Sequence, residues 1–214
     1  MLLIFDLDGT LIDSAPDLTA SVNYTLKQLG ENEISIDNVR NYLGNGAEKL
    51  ITRALSNGKE EWDRGEVKKA LEIFKAYYRK NVCVKTYLYE GVKETLEKLP
   101  HKKAIVTNKP YEFVGDILKT LKIDKYFEIY IGGESLPEKK PSPMPLLHVC
   151  KKVGIKPDNA VIIGDSKNDI LAGKNAGIKT IAVTYGYNYG EDISIYKPDF
   201  IIDKFDKLLE VLWK

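Results

Sequence analysis

Two aspartates stand one residue apart directly after the first apolar run of the chain. The N-terminus reads MLLIFDLDGTLIDS, so Asp6 and Asp8 follow the apolar run LLIF and precede a glycine. Like charges this close repel each other, so they need either a neighbouring cation or a chemical use. Three later junctions also place polar groups after an apolar run: Thr107, Asn108 and Lys109; Lys140 in GGESLPEKKPSP; and Asp165, Ser166 and Asp169 in GDSKND.

Asp6, Asp165 and Asp169 are carboxylates with no histidine or thiolate close to them in the sequence. Oxygen ligands of this type are those that Mg²⁺ prefers, so we expect Mg²⁺ as the cofactor. The cation, assisted by Lys140, would keep Asp6 ionised and able to act as a nucleophile. Phosphoryl transfer also needs groups that hold the phosphoryl oxygens. The candidates are Thr107, Asn108, Lys140 and the backbone N–H groups around Asp8 and Gly9.

Asp8 has a separate task in this chemistry. It lies two residues beyond Asp6 on an extended strand end, so its side chain points to the same side of the chain. From there it can give a proton to the leaving oxygen and later take one from the attacking water. The two aspartates therefore divide the work between nucleophile and acid–base group.

The apolar runs that precede these groups have the character of strands in a parallel sheet. Their apolar residues are continuous rather than alternating, which is typical of strands covered on both faces. Stretches with three- and four-residue apolar spacing lie between them, as in amphipathic helices. This alternation predicts an α/β fold with a doubly wound parallel sheet. The predicted strands are 2–5, 104–107, 128–131, 160–163, 180–183 and 199–202.

A helical insertion separates the first predicted strand from the second. Residues 15–82 show only helical spacing, broken by glycines. We therefore expect an α/β core made of residues 1–14 and 83–214, with the inserted residues as a helical cap domain. The chain crosses twice between the two units, and we expect hinges at 14–16 and 82–87.

The four polar junctions should meet at one place. Ligands of open α/β sheets bind at the carboxyl ends of the strands, and the predicted strands deliver their polar groups to that edge. Each junction by itself has a simple structural explanation as a turn or a helix cap. Their joint occurrence favours an active site.

Composition argues against several other classes of function. The 32 basic and 31 acidic residues leave a net charge of +1, which gives no field to attract nucleic acid or an anionic membrane. No apolar run is long enough to span a membrane, and the first is too short for a signal peptide. Cys83 and Cys150 read as packed thiols, and two histidines make a zinc site unexpected. We expect a cytoplasmic monomer or homodimer.

The motifs DLDGTLIDS, VTNK, KKPSP and GDSKND, in this order, resemble the four motifs of the haloacid dehalogenase superfamily. The resemblance covers essentially the whole chain, including a helical cap after the first strand of a Rossmann-like core. It implies a Mg²⁺-dependent phosphatase that forms an aspartyl-phosphate intermediate. The dehalogenases that named the family lack an acid at the second aspartate position, so Asp8 favours phosphate esters.

Carried over by position, the resemblance implies a role for each motif residue. Asp6 would be the nucleophile and a metal ligand, and Asp8 the acid–base group that also binds the metal through its backbone carbonyl. Asp165 would be the third metal ligand, and Asp169 would hold either the metal's waters or Lys140. The remaining implied roles are phosphate binding by Thr107 and Asn108 and charge stabilisation by Lys140.

The cap should select the substrate, because the motif residues reach only the phosphoryl group. Gly44, Asn45 and Gly46 predict a tight turn between two helices, and the N–H groups that begin the second helix can receive a carboxylate. Such a turn can also be a simple connection. Residues 39–55, with IGGES and LYEGV, resemble bacterial phosphoglycolate phosphatases, which implies a small phosphorylated metabolite, 2-phosphoglycolate, as substrate. Ser142 departs from that pattern, where a histidine is expected.

Other functions remain open at this point. The same core can pass a phosphoryl group to a sugar or act on pyrophosphate, as β-phosphoglucomutases and pyrophosphatases do. A non-catalytic receiver that is phosphorylated as a signal would be a shorter chain without the insertion. We interpret the tyrosine-rich stretch YGYNYG, residues 185–190, as a loop after the fifth strand that lies at most near the site entrance.

Overall fold

A computed structural model of the chain describes residues 1–59 and 61–212. The strands in these ranges are β1 (Leu2–Phe5), β2 (Ile12–Asp13), β3 (Tyr87–Leu88), β4 (Lys102–Val106), β5 (Ile129–Ile131), β6 (Ala160–Gly164), β7 (Lys179–Val183) and β8 (Phe200–Ile202). The α-helices are α1 (Ala15–Gln28), α2 (Ile36–Tyr42), α3 (Ala47–Leu55), α4 (Arg64–Asn81), α5 (Val92–Lys98), α6 (Tyr111–Thr120), α7 (Met144–Val153), α8 (Lys167–Ala176) and α9 (Leu208–Leu212).

Six strands form one parallel sheet in the order β5-β4-β1-β6-β7-β8. The central strand β1 is buried throughout, and its alternate residues enter two different apolar clusters. Leu3 and Phe5 belong to one cluster, whereas Leu2 and Ile4 belong to the other. Both faces of the sheet are therefore covered, and the predicted doubly wound α/β fold is confirmed.

The second predicted strand begins earlier than its apolar run. Strand β4 starts at Lys102, two residues before the predicted start, and ends at Val106. Lys103 is buried there because its ammonium group donates to the carbonyl oxygens of Leu99 and His101, at 2.5 and 3.1 Å. The strand begins with two lysines, so a prediction based on apolar residues misses its first two positions.

Helices α1 to α4 lie together in the chain between β2 and β3, and we call this helical unit the cap. Helices α1 and α4 pack against each other along their apolar faces, which include Leu18 and Val22 on α1 and Phe74 and Tyr78 on α4. The Tyr78 ring also meets the edge of Phe113 in α6, with ring centroids 4.9 Å apart. This contact joins the cap to the sheet-containing core. No helix within the described ranges is long and apolar enough to cross a membrane.

The two chain crossings between core and cap form a small antiparallel ribbon. Strands β2 and β3 pair with Ile12 opposite Leu88 and Asp13 opposite Tyr87. Two-residue strands have no period that a sequence pattern can reveal, so this ribbon was not predicted. Asp17, at the start of α1, accepts hydrogen bonds of 2.7 to 2.9 Å from the backbone N–H groups of residues 85 and 86 and from the Thr86 hydroxyl. This carboxylate holds the two crossings together.

We expect Asp17→Ala to lower the free energy of unfolding by about 3 kcal/mol. The substitution leaves several buried donors without an acceptor, and each such group costs about 1–3 kcal/mol. Asp17 is 3% exposed, so water cannot readily replace the carboxylate. Urea unfolding monitored by circular dichroism measures the effect. Asp37→Ala is the matched control, because its side chain is 82% exposed. Equal stabilities of the two variants would contradict the role of Asp17 in holding the two chain crossings together.

Candidate active site

The carboxyl ends of the central strands bring the polar motif residues to one edge of the sheet. Asp6 directly follows β1, Thr107 directly follows β4 and Asp165 directly follows β6. A cavity lies at this edge, beneath the cap. The core residues that line it are Asp6, Asp8, Thr107, Asn108, Lys109, Pro110, Lys140, Ser166 and Asn168.

Three buried carboxylates meet beside this cavity. One oxygen from each of Asp6, Asp165 and Asp169 lies within 4.8 Å of the others. Burial raises the pKa of Asp165 to about 8, and the charges of Asp6 and Asp169 add to the rise. Burial also raises the pKa of Asp6 to about 6, although Lys140 opposes this rise. With all three carboxylates ionised, the cluster would therefore carry more negative charge than its protein partners neutralise.

A small divalent cation fits this cluster. All its donor atoms are carboxylate oxygens, the type that Mg²⁺ prefers. Asp6 Oδ1 is buried and makes no hydrogen bond to any described residue, although Lys140 Nζ lies 2.9 Å away. Asp165 is held in place by the Thr10 hydroxyl and the Tyr187 N–H, both at 2.8 Å. The cluster thus offers a fixed set of oxygen ligands with one of them incompletely used.

Lys140 bridges two of the carboxylates. Its Nζ atom lies 2.9 Å from Asp6 Oδ1 and 2.6 Å from Asp169 Oδ1, and the side chain is 2% exposed. Burial alone would lower the pKa of Lys140, but Asp169 and Asp6 raise it overall, so the ammonium group stays charged. The other oxygen of Asp169 accepts from the Ser166 N–H and hydroxyl. Of its two roles considered from the sequence, Asp169 is placed for holding Lys140.

Asp8 is held by two partners that turn its carboxylate to the cavity. Its Oδ1 accepts hydrogen bonds from the Ser14 hydroxyl at 2.5 Å and from Lys109 Nζ at 3.1 Å. Lys109 is buried against the Tyr78 ring, with Nζ 4.9 Å from the ring centroid. Burial would lower the pKa of Lys109, but Asp8 and Tyr78 raise it overall. Lys109 lies in the motif VTNK, but its position in the sequence predicts no role for it.

We expect Lys109→Met to lower kcat about a hundredfold, because Asp8, the predicted acid–base group, loses the ammonium group that orients it, and misplacing such a group costs about this much. Steady-state phosphate release measures the effect. Lys102→Met is the control, since Lys102 is half exposed at the opposite end of β4 and pairs with Glu128 at 3.6 Å. A Lys109→Met enzyme with the kcat of the control would contradict this role.

Gly9 does not line the cavity, and its part in substrate binding stays a prediction. Its N–H donates to the Ile12 carbonyl oxygen at 2.8 Å, so this donor is engaged within the turn. Glycine is needed here because φ is +86° and because a Cβ atom would lie 2.2 Å from Asp165 Oδ2. Gly9 thus lets the chain turn directly beside Asp165.

Asn108 lines the cavity, but its amide bonds the protein. Its Nδ2 donates to the carbonyl oxygens of Gly44 and Lys140, at 2.8 and 2.9 Å. Both amide hydrogens are therefore engaged, and Asn108 links the cap to the Lys140 loop. Thr107 differs, because its hydroxyl accepts the Lys109 N–H at 3.2 Å and still has its own hydrogen to donate.

The cap closes the cavity with apolar side chains and with its α2–α3 turn. Gly44 and Gly46 line the cavity, whereas Asn45 does not. The Asn45 side chain instead accepts hydrogen bonds from Arg53 and Tyr189, at 3.0 and 2.8 Å. The remaining cap residues that line the cavity are Leu18, Leu43, Ala47, Leu50, Phe74 and Tyr78.

The motif order, the fold and this geometry have counterparts in known proteins. The sequence profile of the family described as haloacid dehalogenase-like hydrolase matches residues 3–183. The chain belongs to the haloacid dehalogenase-like hydrolases. The chain is 48% identical over 213 residues to a phosphoglycolate phosphatase of Colwellia psychrerythraea, covering 97% of this chain and 94% of that protein. It is also 48% identical over 221 residues to a phosphoglycolate phosphatase of Psychrobacter arcticus, covering 100% of this chain and 96% of that protein.

Solved structures agree with this assignment. A crystal structure described as a predicted phosphoglycolate phosphatase from Haemophilus somnus 129pt superposes with a TM-score of 0.93. The two chains are 42% identical, and the match covers 99% of this chain and 97% of the other. The resemblance to the haloacid dehalogenase superfamily is confirmed.

Several residues at the site of this haloacid dehalogenase-like hydrolase were not found from the sequence. Ser14 contacts Asp8 and Tyr187 contacts Asp165, so the tyrosine-rich stretch lies directly against this edge of the sheet. Tyr187 donates its hydroxyl to Asp13 at 2.7 Å, a contact between residues 174 positions apart. The only signal available beforehand was composition, three tyrosines alternating with glycine and asparagine, and composition does not identify a partner.

Proposed function

We propose that the protein is a Mg²⁺-dependent phosphatase that hydrolyses 2-phosphoglycolate to glycolate and phosphate. The observation that carries the proposal is the pairing of two differently held aspartates at one cavity. Asp6 lies in the three-carboxylate cluster with an incompletely used oxygen, and Asp8 is held by a hydroxyl and an ammonium group. Relatives that are 48% identical carry this activity in their names, which supports the choice of substrate.

In the proposed reaction, a carboxylate oxygen of Asp6 attacks the phosphorus atom while Asp8 gives its proton to the departing glycolate oxygen. The phosphorus–oxygen ester bond breaks, and the phosphoryl group rests on Asp6. Asp8 then takes a proton from a water that attacks this aspartyl-phosphate, which releases phosphate and restores Asp6. Lys140 and the Thr107 hydroxyl neutralise charge on the phosphoryl oxygens.

The residues proposed to hold Mg²⁺ are the carboxylates of Asp6 and Asp165 and the backbone carbonyl of Asp8. When bound, the cation offsets the charge of the cluster and of the phosphoryl group, so that an anionic nucleophile can approach an anionic substrate. Asp169 would act one step away by fixing Lys140, to which it is bonded at 2.6 Å.

A small acidic substrate suits the cavity. The cavity is small, with a volume of about 40 Å³. The cap contributes mainly apolar side chains, which offer little to the hydroxyl groups of a sugar. Gly46 and Ala47 line the cavity at the start of α3, and this helix start has no side-chain cap. The N–H groups of Gly46 and Ala47 are the proposed site for the substrate carboxylate.

Paired substrates test this proposal without altering the fold. We expect kcat/KM to be at least tenfold higher for 2-phosphoglycolate than for ethyl phosphate, in which a methyl group replaces the carboxylate, because a charge-assisted hydrogen bond contributes about 1.5–3 kcal/mol. EDTA should abolish both activities, and excess Mg²⁺ should restore them. Equal rates for the two esters would reject the carboxylate site. Sugar phosphate isomerisation without phosphate release would instead indicate a phosphotransferase.

We also propose that the cap, residues 15–82, moves relative to the core about the predicted hinges at 14–16 and 82–87, so that substrate enters and products leave. The cytoplasmic location and the monomeric or homodimeric state stay predictions from the sequence. Crystals with and without a phosphate analogue that show one identical cap orientation would count against the movement.

A further inference from the structure

Two segments meet at the rim of the cavity, one from each unit. We call residues 44–46 the cap turn and residues 185–190 the tyrosine loop. The cap turn connects α2 to α3, and the tyrosine loop follows β7 in the core. No role follows for the tyrosine loop from the motifs or from the proposed chemistry, yet three of its residues contact the site or the cap.

A continuous chain of hydrogen bonds runs from the core to the cap through Tyr189. The Asn168 amide donates to the Tyr189 hydroxyl at 2.9 Å, and this hydroxyl donates to Asn45 Oδ1 at 2.8 Å. The second lone pair of Asn45 Oδ1 accepts from Arg53 at 3.0 Å. The second amide hydrogen of Asn168 goes to the Gly44 carbonyl oxygen at 3.0 Å. Each of these hydrogens is donated once, and the direction of donation is consistent along the chain.

The aromatic ring of Tyr189 is also shared between core and cap. Lys167, from the core, lies with Nζ 4.8 Å from the ring centroid, and Arg53, from the cap, lies with Cζ 5.6 Å from it. Burial raises the pKa of Tyr189, so the phenol keeps the proton that it donates to Asn45. The cap turn is shaped for this contact, because a Cβ atom on Gly44 would lie 2.5 Å from the Tyr189 hydroxyl.

Tyr189 adopts a backbone conformation that residues other than glycine seldom adopt, with φ at +55° and ψ at +22°. The neighbouring Asn188 holds the loop in this shape. Its side chain accepts the Lys167 N–H at 3.0 Å and donates to the Glu191 carbonyl oxygen at 2.7 Å. The strained residue is therefore the one whose side chain reaches the cap, which points to a use for the strain.

The same loop contacts the carboxylate cluster and the crossing ribbon. The Tyr187 N–H donates to Asp165 Oδ2, and this approach needs Gly186, where a Cβ atom would lie 2.1 Å from the Asp165 Cβ. The Tyr187 hydroxyl donates to Asp13 and accepts the N–H groups of Ser14 and Ala15. One loop thus joins the cluster, the ribbon and the cap turn.

We propose that Tyr189 is a positioning residue that fastens the closed cap to the core, and that this fastening makes the enzyme select small substrates. With the bond formed, only a substrate that fits beneath the cap turn reacts efficiently. With the bond broken, the cap opens more often, small substrates are retained less well and bulky esters gain access. The part of this inference that concerns 2-phosphoglycolate rests on the proposed function.

Tyr189→Phe removes one hydroxyl and keeps the ring. A neutral hydrogen bond contributes about 0.5–1.5 kcal/mol and two are lost, so we expect KM for 2-phosphoglycolate to rise about tenfold. We expect kcat to change less than twofold, since the closed complex reacts as before. For 4-nitrophenyl phosphate, which is bulkier than 2-phosphoglycolate, kcat/KM should rise. A merely damaged enzyme would lose activity toward both esters. Tyr189→Leu, which also removes the ring, should change KM and kcat/KM in the same directions and by larger factors.

Amide hydrogen exchange gives a readout that needs no substrate. In Tyr189→Phe, amides of residues 43–47 and 107–109 should exchange about tenfold faster than in the unsubstituted enzyme, because the cap uncovers them more often. Tyr196→Phe is the matched control, since the Tyr196 hydroxyl donates to Glu191 and does not contact the cap. It should behave as the unsubstituted enzyme in every assay.

Unchanged exchange in Tyr189→Phe, or a parallel loss of kcat/KM for both esters, would overturn the inference. Failure of the proposed function is distinguishable from this outcome. If the unsubstituted enzyme does not hydrolyse 2-phosphoglycolate, the exchange rates and the 4-nitrophenyl phosphate assay still report whether Tyr189 fastens the cap.

Discussion

Asp6→Asn is expected to lower phosphate release by at least about 10⁴-fold, because an amide is not a nucleophile toward phosphorus and cannot form the phosphoryl-enzyme. The substitution keeps the shape of the side chain. Asp6 Oδ1 makes no hydrogen bond to a described residue, so the exchange removes charge and little else apart from the contact with Lys140. Phosphate release with Mg²⁺ present measures the loss.

Stability separates this catalytic effect from misfolding. The folded pKa of Asp6, about 6, lies above the ordinary value of 3.8. The metal-free fold therefore loses stability as pH rises from about 4 to about 6, where only the folded state still holds the Asp6 proton, and the neutral amide avoids this penalty. We expect Asp6→Asn in EDTA at pH 7.5 to be at least as stable as the unsubstituted protein. Asp158→Asn is the control and should leave activity unchanged, because Asp158 is exposed and lies just before the start of β6, at the end of the strand away from the cavity. Near-normal turnover by Asp6→Asn would contradict the role of Asp6 as the nucleophile.

Lys140→Met should remove most activity and also destabilise the fold. Asp6 and Asp169 would lose the ammonium group that lies 2.9 and 2.6 Å from them. Breaking a buried ion pair on one side costs about 3–5 kcal/mol, because the remaining charge stays buried. We expect a loss of this size in urea unfolding with EDTA, together with a fall in kcat of at least about 10³-fold.

Added Mg²⁺ should return part of the stability lost in Lys140→Met, since a ligand that binds only the folded state stabilises it. It should not return kcat, because the cation does not replace the ammonium group beside the phosphoryl oxygens. Lys151→Met, exposed on α7, is the control for both measurements. If Lys140→Met and the control unfold in EDTA at the same midpoint urea concentration, the role of Lys140 in stabilising the cluster is contradicted.

The sequence was informative wherever short-range chemistry decides the structure. Strand β1 was predicted with its observed bounds, because a buried central strand must be apolar at every residue. The carboxylate junction after β1 and the one after β6 were found for the same reason, since strand ends in a parallel sheet determine where the following residues lie.

Contacts across long stretches of chain were not predictable in this way. Lys109 and Asp8 are 101 positions apart, and Tyr189 and Asn45 are 144 positions apart. Gly9 shows a related difficulty. Its motif suggests a phosphate-binding N–H, but the turn to Ile12 uses that donor, and only the folded backbone reveals it. Pattern and spacing indicate which groups reach an edge, whereas packing decides which of their atoms remain available.

The β2–β3 ribbon also bears on how the sheet can assemble. Strands β1 and β4 pair with Leu2 opposite Lys102, so they close a connection of about 100 residues. Once Ile12 lies opposite Leu88, the chain that must still be closed is only about 20 residues. The chain entropy lost in closing a loop grows as 1.5RT times the logarithm of its length, so the shorter path saves about 1.4 kcal/mol. A cap that folds first would therefore hasten pairing of the central strands, and refolding rates of Ile12→Ala and Leu88→Ala would report it.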